Sequence, residues 1–130
     1  MNVEGLRVLP SRHGPAETLE RLEAAVLRNG LKIVARIDHG AAAKVAGVEL
    51  RPTVLVMFGS AGAGAPTIKR APTLAIDLPL KVLVWEDENG ATRAAYNDAA
   101  WLSHRHGLAD QAMVDVLDEV MANVVGEAVA

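Results

Sequence analysis

Apolar positions along the chain follow three patterns. Leu19, Leu22 and Val26 recur at helical spacing with Glu17, Glu20 and Glu23 on the opposite side, which predicts a helix over 15–29. Pro15 suits its first position, where a missing N–H costs nothing, and Asn29-Gly30 supplies the left-handed residue that ends it. Met113, Leu117, Val120 and Val124 form a second helical stripe, opposed by Asp110, Asp115, Asp118 and Glu119, and predict a helix over 108–125. Leu31, Ile33, Ala35 and Ile37 instead alternate with Lys32, Arg36 and Asp38, as a half-buried strand does.

The third pattern is apolar on both sides. In Thr53–Phe58, Leu55 and Met57 share one face and Val54, Val56 and Phe58 the other; in Leu80–Glu86, Leu80, Val82 and Val84 oppose Leu83 and Trp85. A one-sided sheet alternates apolar with polar, so these strands ask for cover on both faces. Two long helices cover one. A second copy of the chain is the simplest cover for the other, because a two-fold interface is self-complementary.

Shorter signals complete the outline. Leu6–Leu9 reads as a first strand, and Pro10 to Pro15 as a break. Asn89-Gly90 between Leu80–Glu86 and Ala91–Tyr96 predicts a two-residue hairpin turn with positive φ at both positions. Gly40–Gly47 suggests one or two helical turns and Thr67–Ala71 a short one, Asp98 caps a short helix carrying Trp101 and Leu102, and Gly59–Pro66 is a loop. With no repeat and no linker, residues 1–130 form a single α+β domain with a mostly antiparallel sheet and both long helices on one face.

Composition narrows the function classes. The chain has no cysteine, which excludes disulfides, thiolate metal sites and thiol nucleophiles and fits a reducing compartment. It has no secretory leader pattern and no run near the ~20 apolar residues of a membrane helix, so a cytoplasmic protein without membrane contact is expected. Net charge is −3, and residues 1–65 hold eight Lys/Arg against six Asp/Glu while residues 66–130 hold five against ten. These cations are scattered, and nucleic-acid binding normally needs them clustered.

Candidate chemistry is sparse. The Gly59–Pro66 loop resembles the first half of a phosphate loop, but Ala65-Pro66 stands where Lys-Ser/Thr belongs. His104 and His106 point in nearly opposite directions on a helix, and no third ligand lies at metal spacing, so neither a metal nor a cofactor is expected. Asp38-His39 at a strand exit pairs a carboxylate with an imidazole, the raw material of an acid–base site. Lys81 shares a face with Leu83 and Trp85 in an apolar strand, so it either snorkels or is buried and paired with Asp77 or Tyr96. Glu86, Asp87 and Glu88 are solvated turn charges.

Several segments together resemble the domain-of-unknown-function family 302 of bacteria and archaea. They are Ala35-Arg36-Ile37-Asp38-His39, Leu50-Arg51-Pro52-Thr53, Met57-Phe58-Gly59, Ala71-Pro72, Asp77 to Asp87, and Tyr96-Asn97-Asp98. The resemblance implies a fold like one half of the TATA-binding-protein saddle, helices on one side of a curved antiparallel sheet, and a homodimer. It implies neither DNA binding nor any catalytic residue. Many relatives carry a cysteine after the Leu-Pro step, where this chain has Leu80.

The expectation is therefore a small cytoplasmic dimeric domain that binds a small molecule or a protein partner without catalysis. The alternative is an enzyme whose acid–base pocket gathers Asp38, His39, Lys81 and Tyr96 under the 59–66 loop.

Overall fold

Five strands make one sheet in the order β1-β5-β4-β3-β2, with every neighbouring pair antiparallel, in a computed structural model that describes residues 2–130. They are β1 (Leu6–Pro10), β2 (Lys32–Asp38), β3 (Thr53–Gly59), β4 (Leu80–Glu86) and β5 (Thr92–Asn97). The two strands with apolar residues on both faces, β3 and β4, occupy the centre. The less apolar β1 and β2 take the edges.

The long helices α1 (Pro15–Arg28) and α5 (Gln111–Val129) pack against each other and over one face of the sheet. Leu19, Leu22, Ala25 and Val26 of α1 meet Val124, Val125 and Ala128 of α5 in one core with Val54, Val56, Phe58, Val82, Val84, Ala94 and Tyr96. Burial of each large apolar side chain there is worth about 1.5–3 kcal/mol, which decides which face the helices cover. Pro15 opens α1 as expected, and Gly30, at φ 73°, follows its cap residue Asn29.

Between the strands lie α2 (His39–Val45), α3 (Ala65–Arg70) and a 3-10 turn (Pro72–Asp77), and α4 (Ala99–Arg105) follows β5. α4 begins on its anticipated cap, Asp98, whose side chain accepts from the Trp101 N–H at 3.0 Å.

Four local expectations need correction. The last helix runs to Val129 rather than 125, with Asp110 as its N-cap and not a member of its polar side. Its buried stripe is Val114, Met121, Val124, Val125 and Ala128, whereas Met113, Leu117 and Val120 are only half-buried. In β2 the register slips between Ile33 and Ala35, so Ile33 faces the helices while Ile37 faces the other way; one extra residue at a bulge reverses the alternation. The β4–β5 hairpin is closed by five residues, 87–91, not two. Only Gly90 has positive φ, because Asp87 organises the loop instead: its Oδ1 accepts from the N–H groups of Asn89 and Ala91, each at 2.9 Å.

Candidate functional site

The four residues expected to form a pocket are placed apart. Asp38 ends β2 at the sheet edge and caps α2, accepting from the Ala41 N–H at 2.9 Å; His39 is the exposed first residue of that helix. Lys81 pairs with Met57 and faces away from the long helices. Tyr96 pairs with Arg7 on the helix side and is buried in the core. Lys81 and Tyr96 therefore stand on opposite faces of the sheet. Asp38 is three strands from Tyr96, about 14 Å at ordinary strand spacing. The acid–base pocket built on these four is not assembled, because strand order and side-chain parity separate its members.

The sheet end where β4 begins and β5 finishes is more informative. A space of about 10 Å³, room for about one water, lies there between Asp77, Leu80, Lys81, Asn97, Leu102 and Met121. None of residues 59–66 lines it; of these only 60–64 form a loop, since Gly59 ends β3 and Ala65 and Pro66 open α3. That loop packs elsewhere: a Cβ on Gly64 would lie 2.8 Å from Leu78 Cδ1.

Beside this space the 3-10 turn is bound to the end of α4 by a polar cluster. Asp77 Oδ2 lies 2.5 Å from His106 Nε2, and Thr73 Oγ1 lies 2.8 Å from His106 Nδ1. Arg105 Nη1 donates to both oxygens of Asp77, at 3.0 and 2.9 Å, with its guanidinium 5.5 Å from the Trp101 ring centroid. Nearby, Arg70 donates to Asp110, which also accepts from the Met113 N–H. Those two contacts, the Arg70 guanidinium first, hold the Asp110 carboxyl below the usual carboxylate range.

In the sequence Asp77 figures only as a partner for Lys81 and His106 only as a metal ligand beside His104, and the two are not paired with each other. Treating His104 and His106 as members of one helix set them at opposite directions, but α4 ends at Arg105. His106 is its cap residue, followed by Gly107 at φ 67°. The His106 side chain is 4% exposed, whereas His104 is an exposed residue. The legible signal was a histidine directly before a helix-ending glycine.

The sheet face away from α1 and α5 is the other conspicuous surface. One row across it reads Val8, Ala95, Leu83, Leu55, Ile37 from β1 to β2. Met57 and Trp85 flank this row on β3 and β4. Leu55, Met57, Leu83 and Trp85 are half-buried, and Val8 and Ile37 are exposed. No charged side chain interrupts the row.

An antiparallel five-stranded sheet under two long helices, with short helical segments at both of its ends, defines an α+β domain of a recognised class. The chain belongs to DUF302, a domain of unknown function, whose family model matches residues 8–124. A crystal structure of an uncharacterised conserved DUF302 protein from Bacillus stearothermophilus has the same fold, with a TM-score of 0.78 at 17% identity over 98% of this chain and 97% of that one.

Among curated proteins the chain is similar to the fluoride-specific ion channel FluC 1 of Brucella suis biovar 1, at 43% identity over 104 residues, 80% of this chain and 41% of that protein. Fluoride-specific ion channel FluC 2 of Brucella melitensis biotype 1 matches at the same identity, over 38% of its length. The chain thus spans about two-fifths of these curated relatives. Among the described residues, no helix is long and apolar enough to cross a membrane.

Proposed function

We propose that this domain is a cytoplasmic, self-associating binding module whose sheet face, away from the helices, is the contact surface between two copies. The observation that carries the reading is the uninterrupted apolar row Val8–Ala95–Leu83–Leu55–Ile37, flanked by Met57 and Trp85. Exposed contiguous apolar surface of this kind marks an interaction site. A two-fold contact sets the row against itself, apolar on apolar, with the charged Lys81 and Arg93 of the same face beside the row rather than in it. Non-catalytic binding of a small molecule or protein partner follows as the role of such a pair. Light scattering tests the contact: a dimer at micromolar concentration supports it, and a monomer overturns it.

A second reading comes from the channel relatives. An ion channel must span the bilayer, yet this chain, which matches those proteins over 104 residues, has among its described residues no helix long and apolar enough to cross one. We infer that in those proteins the matched region lies outside the pore, as an appended domain. The present chain would then serve a membrane channel as an accessory domain. Fluoride efflux from vesicles containing a FluC channel, measured with and without the purified chain, tests this. A change in efflux rate supports the accessory role; identical rates at saturating protein remove it.

A further inference from the structure

The 3-10 turn Pro72–Asp77 and the end of α4 place a hydroxyl, an imidazole and a carboxylate in line. We propose that Thr73 Oγ1 is an activated nucleophile that accepts acyl groups from small activated esters, with His106 as its general base and Asp77 as the residue that positions the ring. This site lies apart from the sheet face proposed as a dimer contact and does not depend on it.

The proton positions follow from the partners. An ionised carboxylate only accepts hydrogen bonds, so His106 Nε2 carries the hydrogen shared with Asp77 Oδ2. In the neutral ring the other nitrogen, Nδ1, then holds a lone pair. The Thr73 hydroxyl, 2.8 Å from Nδ1, must donate its proton to it. A hydroxyl donating to an imidazole that is oriented by a carboxylate is the arrangement that activates serine and threonine nucleophiles.

Burial is distributed as that chemistry needs. The His106 side chain is 4% exposed and that of Asp77 11%, whereas Thr73 is an exposed residue. The base is shielded and the nucleophile is at the surface. Arg105 grips both oxygens of Asp77 and so fixes the carboxylate that fixes the ring.

The same turn suggests the substrate class. A 3-10 helix repeats every three residues, so Thr73 and Ile76 lie on one stripe. Ile76 is 73% exposed, an apolar contact beside the hydroxyl with nothing in the fold to explain it. A short aliphatic acyl chain fits such a surface; a large substrate would find no deep cleft there.

The reaction needs only water besides the ester. Thr73 Oγ1 attacks the carbonyl carbon and passes its proton to His106 Nδ1, while the carbonyl π pair moves to oxygen. Collapse breaks the ester C–O bond, and the departing alcohol takes the proton from Nδ1. Water then gives a proton to Nδ1 and attacks the threonyl ester. Collapse releases the carboxylic acid, and Thr73 recovers its proton.

The test uses the full chain with p-nitrophenyl acetate and butyrate, following nitrophenolate release, with acid-quenched samples mapped by peptide mass. Thr73→Val keeps the side-chain shape at an exposed position and removes only the hydroxyl. It is expected to lower turnover about 100-fold or more, while Thr73→Ser retains it within about tenfold. The acyl group is expected on residue 73. Asp77→Asn is expected to lower kcat at an unchanged KM, the sign of a misoriented base in an intact site. Equal turnover by wild type and Thr73→Val, or acylation confined to lysines, overturns the proposal.

Discussion

Arg7 Nε lies 2.7 Å from Asp98 Oδ1, tying edge strand β1 to the cap of α4. The other oxygen of Asp98 accepts from the Trp101 N–H at 3.0 Å, so one carboxylate joins an edge strand and starts a helix. Burial alone would raise its pKa, but the Arg7 and Trp101 contacts outweigh that and hold it below the usual range. Asp98→Ala is expected to cost about 1–2 kcal/mol of stability, as loss of a helix cap does. A group with a depressed folded pKa stabilises fully above its unfolded value, about 3.9 for aspartate. The contribution fades as pH falls below that value, through the lower folded one. Urea denaturation of wild type and variant is therefore expected to differ at pH 7 and to converge at the acid end.

Gly5 and Trp101 form a second constraint at the same corner. Gly5 has φ 75°, and a Cβ built on it would meet Trp101 Cδ2 at 2.3 Å. Gly5→Ala is expected to cost about 2–3 kcal/mol, the upper part of the usual range for single substitutions. Part of that cost is backbone strain and part is collision with the ring. In a Trp101→Ala background the collision disappears, so Gly5→Ala should cost measurably less there. Additive losses in the double-mutant cycle would deny the contact.

Phe58 and Met57 are neighbours in β3 with opposite fates. Phe58 is fully buried under the helices, and Met57 is half-buried on the other face. Phe58→Ala is expected to destabilise the fold by about 3–5 kcal/mol in thermal or denaturant unfolding. Met57→Ala should cost the isolated fold far less and act mainly on self-association.

Leu83→Asp tests that association directly. Leu83 sits at the centre of the apolar row, between Ala95 and Leu55. An aspartate in a closed interface is an unpaired buried charge, expected to cost about 3–5 kcal/mol of association. On an open monomer surface it meets water. Analytical ultracentrifugation should show the dimer split while circular dichroism stays unchanged. A variant that stays dimeric moves the interface elsewhere.

Much of the fold was legible because long periodic segments carry their own evidence. Both long helices, all five strands and the caps at Asp98 and Gly30 follow from spacing and turn chemistry. The errors lie where a side chain competes with a backbone rule. Asp87 replaces the expected turn with a wider one by accepting two N–H bonds. One inserted residue near Val34 turns Ile37 to the other face. The Thr73–His106–Asp77 cluster was illegible for another reason. Asp77 and His106 are 29 residues apart and meet only through packing of two connections, which no local period encodes.

The bulge in β2 has a further consequence at the rims of the sheet. A sheet recruits foreign strands through straight, unprotected edges, and both edges here are spoiled. β2 is kinked near Val34 and carries exposed Lys32 and Arg36; β1 is five residues long and ends in Pro10, which has no N–H to offer. Strand addition, the route to ribbons and fibrils, is obstructed at each rim. Growth by the broad face is self-limiting, since a face once covered has nothing left to template.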